Sequence, residues 1–446
     1  MKKILFTGLL FVTCLVNAQE DTNDSVKSNS VDTLKTDELS KLKESVEDHS
    51  MKLAGFEERF STLESVVNEL SKIKVSGYIQ AQYEMYDSWA SDGTQHGVLV
   101  TGSAYEDNTF YIRRARVKFT YKPTDGVNFV LQPNFEVHQV TLKDAYVQLN
   151  DRWLNLFSLW VGQFNRPTYE IEYSSASREF AERTLMTRTL YPTERDQGAK
   201  LEADFTTQYE IPLKLQFAVL NGNFGTGALA NQAKDVDNGK DIMARGVYSL
   251  KFPSKGLGID FGAHTYLGKT TIIEQTSTPT VFSGVNNVSF TPNVGDKLKK
   301  ELYGAEMQLY YDWLGGMSLK SEYIRGTYSG TTINDTQVNG LFKANKVRQV
   351  EGYYVSLVKN VGKVNEVSLR YDVFDPNTKF SGDSITRKDD LKYHNWTFAW
   401  QYFFNDYIKV MACYVLPTNE KSLNAGNDFK KDKHDNIFTL RLQARF

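Results

Sequence analysis

From Val75 to Phe446 the chain keeps a period of two, in sixteen segments that mostly run about ten residues. The last segment is the plainest: Phe438, Leu440, Leu442, Ala444 and Phe446 alternate with Thr439, Arg441, Gln443 and Arg445. Such alternation gives a strand one apolar and one polar face. A half-buried soluble strand can do the same, so the connections decide. Most alternate short and long. Lys122–Gly126, Pro253–Gly256 and Asn405–Asp406 are short; Asp87–Asp107, Asn221–Asp241 and Pro417–Asp435 are long. Only the link near Val137–Val140 is too short for its class. A soluble sandwich has no reason to place its long loops on every second connection. A membrane barrel has one, with tight turns at one rim and loops at the other. The pattern therefore predicts an all-β, 16-stranded antiparallel transmembrane β-barrel over residues 73–446.

Composition fits that reading. Mean hydropathy is −0.44, and no run past the first segment is apolar enough for a membrane helix. A barrel wall gives this value because only alternate residues face lipid. Trp396, Phe398, Trp400, Tyr402 and Phe404 form one aromatic face of the fourteenth strand, a set that suits lipid and would be a hazard in water. A net charge of −2 gives no sign of a nucleic-acid partner.

Residues 1–18 read as a secretory signal peptide. Met1-Lys2-Lys3 precede an apolar run, and Val16-Asn17-Ala18 offers a cleavage site. Export leaves Cys413 as a single thiol, so no internal disulfide is expected. Residues 19–37 read as a polar linker. Residues 38–72 carry a heptad pattern: Leu39, Leu42, Val46, His49, Leu53, Phe56, Phe60, Leu63, Val67 and Leu70 lie at spacings of three and four. This argues for an α-helical coiled coil before the barrel, about 50 Å long. Two phenylalanines in the seam favour a trimer.

In the second strand, Ala115, Val117, Phe119 and Tyr121 take the lipid side, which leaves Arg114, Arg116, Lys118 and Thr120 toward the lumen. Three stacked cations need water, counter-charges or a permeating anion. Acids such as Glu84, Asp144, Glu306, Glu322 and Asp372 share lumen parity, so the lumen is mixed. The link Asn165–Gln197 is the candidate constriction. It is long but not Gly/Ser-rich, and Ser174 to Thr189 could form a short helix. Its charges are Arg166, Arg178, Arg183, Arg188 and Arg195 against Glu170, Glu172, Glu179, Glu182, Glu194 and Asp196.

The run Phe110-Tyr-Ile-Arg-Arg-Ala-Arg116 is followed in order by Leu142-Lys-Asp-Ala-Tyr-Val147, Val161-Gly-Gln-Phe164, Phe180-Ala-Glu-Arg183 and then Pro192 to Gly198. In this order they resemble the phosphate-selective porin O and P family, over roughly Val75 to Phe446. The resemblance implies a trimeric, sixteen-stranded outer-membrane porin with an inward-folded third loop. The expected function is a water-filled channel for small hydrophilic solutes or ions, anions such as phosphate among them. Arg114, Arg116, Lys118, Arg178, Glu182, Arg183, Arg188, Arg195 and Asp196 would line or constrict it. The expected location is the outer membrane of a Gram-negative cell, with the coiled coil in the periplasm.

The alternative is a structural outer-membrane protein whose coiled coil tethers or spaces the envelope. No nucleophile elbow, phosphate loop, dinucleotide fingerprint or zinc spacing is present, so no enzyme, cofactor or metal is expected. An enzyme would need a histidine and acids meeting at the outer rim, which His264 and His394 could in principle reach.

Overall fold

The computed structural model describes residues 31–87, 99–100, 103–104, 108–136, 139–222, 238–271, 281–283, 288–290, 293–329 and 347–446. The expected signal peptide and most of the expected linker lie outside them. Two units are present, residues 1–71 and 72–446.

The first unit contains one helix, α1, Val31–Ser71. It takes in residues 31–37, which the polar composition had assigned to the linker. Leu39, Leu42, Val46, Leu53, Phe56, Phe60, Leu63, Val67 and Leu70 are all exposed along it. A single chain thus leaves the apolar seam of this helix uncovered.

The second unit is a closed barrel of sixteen antiparallel strands. They are β1 Ile73–Tyr86, β2 Asn108–Tyr121, β3 Val127–Phe135, β4 Val140–Asn150, β5 Phe157–Asn165, β6 Arg195–Asp204, β7 Leu213–Leu220 and β8 Asp241–Phe252. They continue as β9 Leu257–Thr271, β10 Lys297–Tyr311, β11 Met317–Ser329, β12 Val347–Val361, β13 Asn365–Asp375, β14 Tyr393–Phe403, β15 Ile408–Asn419 and β16 Ile437–Arg445. Each strand pairs with its neighbours in sequence. The sheet closes where β16 pairs with β1, with Ile79 opposite Ala444 and Tyr83 opposite Leu440. Backbone bonds between Gly77 and Phe446 extend that seam, at 2.9 and 3.0 Å. Closure satisfies every strand edge inside the sheet, which a chain in lipid requires.

Turn chemistry explains the tight rim. The β8–β9 link is a 3₁₀ turn, Pro253–Lys255, ended by Gly256 at φ +59°, a conformation that costs glycine little. The β3–β4 link is the short one among the long class, and Glu136 N–H donates across it to Gln139 O at 2.9 Å. The β6–β7 link departs from expectation. The alternation alone reads strands over Gly198–Thr206 and Ile211–Leu220, but residues Phe205–Tyr209 form a helical turn, α4, with Asp204 as its N-cap, so β6 stops at Asp204 and β7 begins at Leu213.

Burial is inverted relative to a soluble protein. On β1 and β16, Ile79, Leu440 and Leu442 are exposed, whereas Gln80, Gln82, Thr439, Arg441 and Gln443 are buried. Trp396, Phe398 and Trp400 likewise face outward.

Candidate pore constriction

The chain between β5 and β6 folds into the barrel and is built from two short helices. One is α2, Tyr169–Glu172. The other is α3, Leu185–Leu190, capped by the Thr184 hydroxyl, which accepts from the Thr187 N–H. The expected helix from Ser174 to Thr189 is thus confined to its last part. The segment before α3 passes through a turn, with Ser177 N–H donating to Ser174 O at 3.0 Å, and then a run of bends, and wall side chains claim its carbonyls. Gln80 donates to Ser175 O at 3.1 Å, Gln443 to Ala176 O at 2.9 Å, Lys409 to Arg178 O at 3.2 Å and Arg441 to Ala181 O at 2.8 Å.

Beneath this loop lies an apolar patch on the lumen side of the wall. Ile171, Leu185, Met186 and Leu190 pack with Ala218, Leu220, Met243, Leu302, Ile324, Val350 and Phe374. Each fully buried side chain of this size contributes about 1.5–3 kcal/mol. Ion pairs surround the patch. Glu172 meets Arg245 at 2.7 Å and Lys200 at 3.4 Å; Glu179 meets Lys320 at 2.6 Å.

The charged layer is organised around Glu182. Its carboxylate accepts from Arg113 Nε at 2.8 Å and Nη2 at 3.0 Å, from Arg114 Nη2 at 3.0 Å and from Arg441 Nη2 at 3.2 Å. Arg113 is there because of a β-bulge. The β1–β2 register passes from Gln80 opposite Arg114 to Ala81 opposite Ile112, which leaves Arg113 as the extra residue. Strict alternation gives no reason to point both Arg113 and Arg114 inward.

The other expected residues separate into distinct groups. Arg116 donates to Asn134 at 3.2 Å, Tyr78 at 2.9 Å and Ser175 at 3.0 Å. Arg183 holds the carbonyls of Glu170 and Ile171 at 2.8 and 3.0 Å and pairs with Glu194. Arg195 bridges Glu194 and Asp144 at 2.7 and 2.8 Å. Asp196 pairs with Arg166 at 2.8 Å. Arg195 and Asp196 are the first residues of β6, not part of the loop. Arg188 is half-buried near Glu182, Asp372 and Arg370. The buried Arg178 guanidinium makes no hydrogen bond to any described residue.

Two cavities flank this layer. One, about 380 Å³, is lined by Tyr78, Arg116, Lys118, Asp144, Ser175 and Arg195, and it reaches Gly77 and Phe446 near the short-turn rim. The other, about 310 Å³, is lined by Tyr111, Arg113, Glu182, Arg188, Asp372 and Thr439, and it reaches Tyr86 and Ile437 toward the long-loop rim. Arg183 borders both.

The two histidines weighed for chemistry do not meet at a rim. His264 is buried in mid-strand on β9 beside Glu306 and Glu322, a group with the donor types of a metal site. His394 shares a 2.9 Å hydrogen bond with Tyr371 on the wall.

A closed sixteen-stranded barrel with an apolar exterior, a charged interior and a loop folded into its lumen defines an outer-membrane channel of the porin class. The chain belongs to the phosphate-selective porin O and P family, whose profile it matches over residues 88–446. No curated protein matches it in sequence. Solved structures share its fold at low identity. OprB of Pseudomonas putida aligns with a TM-score of 0.54 at 11% identity, over 85% of this chain and 96% of that one. A loop-deleted OmpT, an outer membrane protein of Vibrio cholerae, gives 0.51 at 11%, over 84% and 99%. The outer membrane channel DcaP of Acinetobacter baumannii gives 0.51 at 11%, over 84% and 97%.

Proposed function

We propose that this porin is a trimeric diffusion channel for small hydrophilic solutes, weakly selective and biased toward anions. The carrying observation is the layer at Glu182, where one carboxylate faces Arg113, Arg114 and Arg441. The excess of cations between two polar cavities favours anion entry without forming a deep trap. Arg116 and Lys118 continue the cationic line toward the short-turn rim. Most other lumen cations are neutralised by acids of the folded loop, which argues for weak selectivity over a phosphate-specific path. The uncovered apolar seam of α1 supports a coiled coil that holds three barrels together, on the periplasmic side in a Gram-negative envelope.

Liposome swelling with uncharged sugars of increasing size tests the channel. Reconstituted protein is expected to admit small sugars and exclude larger ones at a sharp size limit. Liposomes that do not swell in any sugar, with folded protein confirmed by heat-modifiable migration, would remove the channel reading and favour a structural role.

A further inference from the structure

His264, Glu306 and Glu322 lie on three adjacent strands, β9, β10 and β11, at mid-height on the lumen side. Glu306 sits opposite Glu322 in the β10–β11 ladder, and His264 sits opposite Gly304 in the β9–β10 ladder. Like charges directly opposed across a ladder are unfavourable, so something must compensate them. Arg245 does part of this, donating to Glu306 at 2.6 and 3.1 Å. Arg245 is also shared with Glu172 from α2, and Glu170 adds further negative charge nearby. The cluster therefore holds more carboxylates than cations.

Two further observations point to a ligand. Among the described residues, neither ring nitrogen of the buried His264 makes a hydrogen bond; its Nδ1 lies 3.9 Å from Glu322 Oε1, on a carboxylate only 2% exposed. Buried polar atoms are ordinarily satisfied. The wall is also shaped around the cluster. A Cβ on Gly304 would run into the His264 ring, and one on Gly262 would lie 2.6 Å from Glu306 Cγ. Glycine at both places lets the imidazole and the carboxylate lie flat against the opposite strand.

We infer that His264, Glu306 and Glu322 form a binding site for one divalent cation of the zinc class, set in the barrel wall under the folded loop. One imidazole nitrogen and two carboxylate oxygens suit Zn²⁺ and its first-row neighbours. Three ligands are too few for Ca²⁺, which takes about 6–8 oxygens. The candidate donor atoms lie within 4.8 Å of one another. Holding zinc at about 2.0–2.2 Å requires them to draw in by about an ångström. The cation would cancel the opposed charges of Glu306 and Glu322 and supply a partner for the orphaned imidazole. Because α2 covers the site through Glu172 and Arg245, the ion would enter as the loop seats during folding.

The test is to refold the full chain into detergent with and without Zn²⁺, remove loose metal with a chelator, and count retained zinc by mass spectrometry. About one retained zinc per chain is expected in the wild type. Less than a tenth of that is expected in His264→Gln and in Glu322→Gln, while His394→Gln keeps it. X-ray absorption of the retained zinc should show nitrogen and oxygen neighbours including one imidazole. No retained zinc in the folded wild type would overturn the proposal, as would full retention in folded His264→Gln. If His264→Gln does not fold, Glu322→Gln decides by the same count. This outcome is independent of channel activity, so the two proposals fail separately.

Discussion

At the residue scale, Glu182 governs the layer between the two cavities. It is half-buried and faces three arginines at once; Arg114 and Arg441 are buried, and their charges are left without this partner when it is removed. Glu182→Gln keeps the shape and removes the negative charge. The expected result is a reversal potential shifted further toward that of the anion, with the loop more easily cleaved by protease; an unchanged reversal potential would place the selective layer elsewhere. Asp435, in the link before β16, gives a pH-dependent case. Burial first, and the neighbouring Asp432 second, push its carboxyl up to about 8, against about 3.9 in an unfolded chain. The folded loop therefore binds a proton that the unfolded chain releases between those values. Its contribution is full below about pH 4 and is lost as pH rises through about 8. Hydrogen-exchange protection over residues 420–436, taken relative to the intrinsic base-catalysed rate at each pH, should be greater at pH 5 than at pH 9, and Asp435→Asn should flatten that difference. An undiminished difference in Asp435→Asn would assign the effect to other groups.

At the scale of elements, the folded loop is held by an apolar patch and a ring of ion pairs, and this part was the least legible in the sequence. Its length, apolar content and balanced charge marked it as the segment to fold inward. What it folds against was hidden, because Met243, Leu302, Ile324 and Val350 break the rule that lumen positions are polar. That break was the available signal. The bulge at Arg113 was hidden for a different reason: one extra residue reverses parity locally without changing composition. Gly352 shows how closely the loop is seated, since a Cβ there would lie 2.8 Å from the Met186 sulfur. Gly352→Leu should push α3 off the wall into the lumen and lower single-channel conductance, leaving the barrel intact by circular dichroism. Unchanged conductance would mean that α3 does not narrow the path.

At the scale of the molecule, the barrel itself was legible almost throughout. Strand number, order and the two rims follow from period-two alternation and from the lengths of the links, both of which lipid and closure impose directly. The short β6–β7 link was legible but its helical turn was not, because α4 begins directly at the end of a strand. The helix α1 was equally plain from its apolar spacing, and those apolar side chains are exposed along it; the proposed trimer would pair them. Deleting residues 38–70 should leave the conductance of each barrel unchanged while trimers dissociate at lower detergent or temperature. Mass determination of both forms in detergent checks this, and equal trimer stability would assign the helix another role.

Charge at the Glu182 layer is proposed to bias a water-filled path. The most direct measurement of that bias is single-channel recording in a planar bilayer under a KCl gradient, repeated with phosphate. Stepwise conductance in threes, a modest anion-favouring reversal potential and no block by low phosphate are expected. A cation-favouring reversal potential would contradict the proposal by giving control to the acids, and block by low phosphate would replace weak selectivity with a specific site.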